Sequence, residues 1–474
     1  MLKYTVILPS ISVGNDDINT EAKLGTLKII NGVIPNFDSN KLEQKDVLIE
    51  NGKIASLGSI SNSAEEVIDA AGKIVSPGFI DIHMHEETLD LNEEDPYFTA
   101  YYELMMGVTT CAAGNCGNNR QSPQFFKEYI DQNGAPVNYL SFIGHNYLRS
   151  LAGADDCYRP SNKYEIEKMK DLIRDALPLG LIGISYGIEY APGMDTEEIV
   201  AITEPLQGSP YLLSAHYRDD GANSVKSVEE LIEVSKVTSL PMQIAHIGSC
   251  SAFGYMKESL EVIEKNRQAG VDLYADCYPY DAFATFIGSA VFDEGCFEGW
   301  DKTYSDILLT EEPFKNKRCT EEIFYKARKE FPEIIAVAFV MNETEVIEAL
   351  KAPFMFVASD SIYRKDKGHP RGAGTFPRVL ARYVRDMEVL TLIDALYKMT
   401  LGPAKRLKLN NKGSIKVGCD ADLTIFDEQS ITDCADFASP TLPPEGIDYV
   451  IIDGKIVVNN NSVLDGRAGR FIKF

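Results

Sequence analysis

Six histidines are all that 474 residues provide. Apolar runs approaching the roughly 18–20 residues of a membrane span are missing, which excludes a transmembrane helix, and no Cys-x-x-Cys pair occurs. The nine cysteines are odd in number and irregularly spaced. That pattern argues against a disulfide framework and for a reducing, cytoplasmic setting. Basic residues are in deficit, 46 against 71 acidic, for a formal net charge of −25. Such a balance disfavours nucleic acid and anionic membrane as partners, though a few local arginines can still hold an anionic small molecule. Low-complexity tracts and short-period repeats are also lacking. The stretch Tyr4–Val13 is short and broken by Pro9; it reads as an extra strand rather than a secretory signal.

The few histidines present are not scattered. Each sits where an apolar strand ends or in a turn rich in Gly, Pro or Arg. In Pro77-Gly78-Phe79-Ile80-Asp81-Ile82-His83-Met84-His85 a buried strand delivers two imidazoles at i and i+2, on one face of the sheet. Neutral imidazole is the commonest protein metal ligand, and two side by side form half a coordination sphere. Downstream lie His145 in Gly-His-Asn, His216 in Leu-Ser-Ala-His-Tyr-Arg, His246 in Met-Gln-Ile-Ala-His-Ile-Gly and His369 in Gly-His-Pro-Arg. A lone histidine is ordinarily a satisfied core or surface residue; five at strand ends in one chain point to a metal centre.

The two ends of the chain share a texture. Lys28-Ile29-Ile30-Asn31-Gly32, Asp46–Gly52 and Val67–Gly72 alternate short β-rich runs with turn dipeptides, and Gly413–Gly418, Ala421–Asp427 and Tyr449–Val458 repeat this. Asn-Gly between apolar runs is the strongest short hairpin signal. Residues 1–75 and 402–474 are therefore expected to form one small β-sandwich domain built from both termini. In residues 76–401, continuous apolar strands are spaced by amphipathic stretches: Tyr164–Leu177, Ser227–Val237 with a Ser227…Glu230 capping box, and Met256–Ala269. That alternation predicts a parallel sheet covered on both faces. Strands are expected to end near His85, Cys116, His145, Tyr186, His216, His246, Tyr274 and Asp360, with a ninth candidate at Ile334–Met341. Nine candidates for eight positions make one of the last three auxiliary. The fold class is α/β, a (β/α)8 TIM-like barrel, whose chemistry sits at the C-terminal strand ends. A doubly wound open sheet would instead gather its site at one switch point.

Along Val75–His85 the chain resembles the amidohydrolase superfamily, and within it the D-aminoacylase (N-acyl-D-amino-acid deacylase) family. The landmarks continue in family order: Gly114-Asn115-Cys116-Gly117, Gly144–Arg149, Gly187-Ile188-Glu189-Tyr190-Ala191-Pro192-Gly193, Tyr278-Pro279-Tyr280, Ser359-Asp360, His369–Arg378 and Lys398–Leu407. They span about residues 25–470.

The resemblance implies one tight zinc site at Cys116, His216 and His246, a donor set that suits Zn²⁺. A second, weaker position is implied at His83 and His85 with Asp360. Gly183-Ile184-Ser185-Tyr186 carries no lysine where relatives in the wider superfamily use a carboxylated one. Asp360 takes the role of general base and acid, and Tyr190 helps stabilise the oxyanion. Arg371 matches the arginine that binds the substrate carboxylate, with Tyr280, His145 and Arg149 as further substrate contacts. The implied partner is a small acylated amino acid, hydrolysed at its linear amide. Ile247-Gly248 replaces the lysine of relatives selective for an acidic side chain, which disfavours N-acyl-D-glutamate. Residues 281–332 lack a clear family pattern and read as a lid insertion. Two other readings stay open: hydrolysis of a cyclic amide or dipeptide-like substrate on the same centre, and a non-catalytic barrel, which intact ligands disfavour.

Overall fold

Parallel strands form where the sequence strings β-branched and small apolar residues together without polar alternation, because both faces of such strands are covered. Eight of them organise the structure, a computed structural model that describes residues 27–474 except 86, 88, 90 and 365. The expected strand at Tyr4–Val13 lies outside the described residues. The eight are β1 (Phe79–Asp81), β2 (Val108–Ala113), β3 (Asn138–Ser141), β4 (Gly183–Gly187), β5 (Leu212–His216), β6 (Met242–Ile244), β7 (Leu273–Cys277) and β8 (Met355–Val357). Each pairs with the next in parallel, β3 reaching β4 through the short continuation Ile143–Gly144. The ring closes where Asp360 N donates to His83 O at 2.8 Å and Met84 bridges Ser361 in parallel. This is the (β/α)8 barrel expected from the strand–helix alternation.

The ninth apolar run, Ile335–Ala338, is the auxiliary one. It pairs antiparallel with Phe283–Phe286 and with Ile307–Leu309, in a four-stranded sheet completed by Lys317–Arg318. Ile335 and Val337 bury with Ala282, Ala284 and Leu308, while Ala336 and Ala338 face the main core. That sheet therefore continues past residue 332.

The terminal segments build two sheets that face each other. One holds Lys53–Gly58, Asp46–Glu50, Leu27–Ile30 and Glu66–Asp69. In the other, Ile74–Pro77 from the N-terminal side runs antiparallel to Leu423–Phe426 from the C-terminal side. Ile29, Val47, Ile49 and Ile68 pack there against Ala421, Leu423, Ile425 and Ile451 in one core. Asn51-Gly52 makes the predicted hairpin, both residues at positive φ (52° and 72°). Asn31-Gly32 does not. The strands on either side of it join different sheets, so the turn carries the chain across the sandwich.

A second correction concerns the helix expected to start at Ser227. It runs Ser224–Thr238 with no side-chain cap. Ser227 lies inside it, donating to Asn223 O, while Glu230 turns away to receive Arg218 and Thr196. Among the described residues no helix is long and apolar enough to cross a membrane, and all nine cysteines are free.

Candidate metal centre

Cys116, His246 and Asp360 lie just past the C-terminal ends of β2, β6 and β8, and all three adopt positive φ (52°, 29° and 50°). Left-handed backbone is costly for these residue types and persists where the surroundings hold it, typically at functional sites. Here it turns each side chain from the strand direction into the barrel mouth. The loop after Cys116 can approach β4 only because both contact residues are glycine. A Cβ on Gly117, itself at φ +76°, would stand 2.6 Å from Gly187 N, and one on Gly187 would stand 2.3 Å from Cys116 O.

Ligand atoms of His83, Cys116, His246 and Asp360 converge within 4.8 Å of one another, all buried. Cys116 Sγ is 3.3 Å from both His83 Nε2 and His246 Nε2. Asp360 Oδ1 stands 3.4 Å from His83 Nε2 and 3.1 Å from His85 Nε2. Members of both positions expected from the sequence, though not His216 or His85, thus share one cluster. His216 stacks its ring edge-on against His246 at 4.5 Å and sits 2.5 Å, through Nε2, from Glu189 Oε2. Its Nδ1 is buried without a hydrogen-bond partner among the described residues, which leaves that atom available for coordination.

Charge in the cluster is internally compensated. Burial opposes the Cys116 thiolate, but His83 and His246 outweigh it and hold the thiol well below its ordinary range. Burial likewise opposes the Asp360 carboxylate, and Arg371 with the histidines overcomes it, so Asp360 stays ionised. His216 loses by burial and gains more from Cys116 and Glu189, ending at about 10. Thiolate, carboxylate and imidazoles whose protons a cation can displace form a donor set that fits a divalent metal such as zinc.

Several supporting residues were not singled out in the sequence. Glu189 lay inside a quoted motif without a role. Asp276 stands 3.4 Å from His83 Nδ1 and accepts His246 N at 2.7 Å. Its signal was a carboxylate in the otherwise apolar strand β7. Ser249 Oγ meets His246 Nδ1 at 2.7 Å. Asp81 accepts the backbone N–H groups of His83 and Ser359 at 3.0 and 3.1 Å, and so ties β1 to the Asp360 turn.

Arg371 reaches Asp360 Oδ2 at 2.9 Å, donates to Ala284 O and lies over the Tyr278 ring at 4.7 Å; its Nε is buried without a partner. Tyr190 packs on His216 with ring centroids 4.7 Å apart. A small cavity of about 20 Å³ is walled by Tyr190, His216, Asp220, Phe283, Asp360 and Arg371.

The three expected substrate contacts are engaged by other groups, Arg149 at the wall of the cleft that His85 and Tyr190 also line. The Tyr280 hydroxyl faces Pro370 O at 3.5 Å, behind the site, because the ring is wedged against Arg378 and Gly374. It is Tyr278 that accompanies Arg371. His145 pairs with Glu198 at 3.0 Å, and Arg149 spends its guanidinium on Glu198, Ser161, Asp156 O and Arg159 O. Both are buried and tie the helix His145–Ala152 to its neighbours.

The sequence profile of the amidohydrolase family matches residues 66–276 and 342–458. A D-aminoacylase from Alcaligenes xylosoxydans xylosoxydans is 29% identical over 94% of this chain and 97% of its own length. A D-aminoacylase crystal structure superposes with a TM-score of 0.84 at 30% identity, covering 94% of this chain and 99% of the other. N-acyl-D-glutamate deacylase from Bordetella bronchiseptica, solved with zinc and a phosphonate that mimics the tetrahedral intermediate, gives 0.85 at 26% identity with the same coverage.

Proposed function

The chain belongs to the amidohydrolase family, and from that premise we propose that it is a zinc-dependent N-acyl-D-amino-acid deacylase, cleaving the linear amide to a carboxylate and a D-amino acid. The observation that carries this reading is the convergence of Cys116, His83, His246 and Asp360 beside a buried arginine with an unpaired donor. Cys116, His216 and His246 would hold the tighter metal position, with His83 and His85 supporting a second one beside Asp360. When bound, zinc supplies Lewis acidity toward the amide carbonyl and makes water a stronger acid.

The chain's own groups do the rest. Asp360, kept ionised by Arg371 and the histidines, takes the proton from the attacking water and returns it to the amide nitrogen as the C–N bond breaks. Tyr190 is pushed up by burial and by Cys116, so its phenol stays protonated and can donate to the developing oxyanion. Arg371 takes the substrate α-carboxylate through donors not spent on Asp360 or Ala284, and its fixed stack on Tyr278 sets the direction of that contact.

The test is amine release from N-acetyl-D- and N-acetyl-L-amino acids by zinc-loaded protein. Turnover is expected for D-substrates only, and Asp360→Asn should lower kcat by roughly 10²–10⁴-fold. Absence of turnover from protein with verified zinc content, or equal turnover of L-substrates, would reject the assignment.

A further inference from the structure

Of the six histidines, four surround the centre and His145 joins helices, which leaves His369 without a role. It is buried, and it lies outside the group of converging ligand atoms. Its Nδ1 accepts the backbone N–H of Arg371 at 3.0 Å. Burial and the Arg371 charge hold its pKa well below the ordinary range, so the ring is neutral. With Nδ1 accepting, the ring proton sits on Nε2, which is buried without a hydrogen-bond partner among the described residues. The accepting nitrogen is thus spent on the residue that takes the substrate carboxylate.

Arg371 opens the helix Arg371–Arg378, and Pro370 before it offers no side-chain cap. The first N–H groups of a helix have no partner within it, and His369 supplies one from the side. That bond fixes the backbone from which the buried Arg371 side chain leaves for the centre. The C-terminal segment braces the same turn. Phe437 and Tyr280 each meet His369 edge-on, with ring centroids 5.0 and 5.1 Å away. Gly372 packs against the Tyr363 ring so closely that a Cβ would stand 2.5 Å from it, and Tyr363 donates to Pro440 O at 2.8 Å. At the far end of the helix Asp433 receives Arg378 at 3.0 Å. Residues 433–440 therefore touch both ends of the helix that Arg371 begins.

We propose that His369, braced by Phe437, is a positioning residue that sets the direction in which the Arg371 guanidinium meets the substrate carboxylate. This rests on the deacylase reading. It makes the C-terminal segment part of substrate recognition, although residues 433–440 do not wall the small cavity. The carboxylate contact is present in substrate and transition state alike, so a misdirected Arg371 acts on KM more than on kcat.

The experiment measures kcat and KM of zinc-loaded variants on the N-acetyl-D-amino acid that turns over best, after zinc content and thermal midpoint have been checked. His369→Phe keeps a flat ring among its neighbours and removes the acceptor; KM should rise about tenfold or more, with a smaller loss in kcat. His369→Asn, whose amide oxygen can accept an N–H two residues on, should recover most of that KM. Phe437→Leu, at a half-buried position, leaves the acceptor in place and should raise KM severalfold. An unchanged KM in His369→Phe, a loss confined to kcat, or His369→Asn no better than His369→Phe overturns the proposal. If His369→Phe does not fold, Phe437→Leu decides it, and an unchanged KM there overturns it. If the unaltered protein cleaves nothing, the deacylase reading fails instead. N-acetyl-D-leucine then serves as an inert ligand for calorimetry, and no binding, or binding that His369→Phe leaves intact, overturns the role given to His369.

Discussion

Glu189 shows how a residue without a motif role can set the behaviour of one that has it. Its carboxylate, 2.5 Å from His216 Nε2, fixes which ring nitrogen carries the proton and leaves Nδ1 turned to the centre. Carboxylate–imidazole pairs of this kind orient metal ligands and raise their basicity. Glu189→Gln keeps the shape and removes the charge. Zinc affinity, measured by competition with a chromogenic chelator, is expected to fall by about 10–100-fold. An unchanged affinity would mean that His216 needs no such partner. The same principle assigns Asp276 to His83, at the longer distance of 3.4 Å. At this scale the sequence pointed to the proposed ligands and concealed the residues that aim them. A glutamate in a turn or an aspartate in a strand becomes informative only when its neighbour across the barrel is known.

At the scale of elements, Glu198 at the start of the helix Thr196–Ala201 pins two further helices through His145, Arg149 and Ser161. Burial raises its pKa, while His145 and the Ser161 contacts lower it more, leaving it at about 2. A carboxylate depressed in the folded state contributes stability that is complete above its unfolded value near 4.5 and is lost as pH falls toward 2. The size is roughly 2–3 kcal/mol. Acid unfolding of Glu198→Gln should therefore show its largest deficit against the unaltered protein at neutral pH, converging on it near pH 2. A deficit independent of pH would place the effect in packing rather than charge. His145 and Arg149 thus belong to the joint between helices. Strand-end histidines look alike in sequence whether they face a cavity or a neighbouring helix.

For the whole molecule, the proposed ligands come from the ends of β1, β2, β5, β6 and β8, so a bound metal would join strands across the barrel mouth. Binding to the folded state alone stabilises by about 4 kcal/mol at a thousandfold excess over Kd. Removing metal with a chelator is expected to lower the thermal midpoint and abolish amine release, with both restored by added zinc. A midpoint insensitive to chelation would contradict cross-strand coordination. The segment that carries Phe283–Phe286 and Ile335–Ala338 also acts at this scale. Its single tryptophan, Trp300, donates to Asp220 at 2.6 Å, coupling it to the wall of the inner cavity.

The amino-acid sequence by itself determined the barrel, the pairing of its two ends and the kind of chemistry. Strand–helix periodicity, hairpin dipeptides and strand-end histidines are local properties, written in neighbouring residues. Only the tertiary structure decided that Glu189 pairs with His216 and that members of the two expected metal positions share one cluster. It also decided that Tyr278 rather than Tyr280 stands beside Arg371 and that Ile335–Ala338 leaves the barrel. Those outcomes depend on where a left-handed turn aims a side chain and on which wall lies opposite, and composition and spacing encode neither.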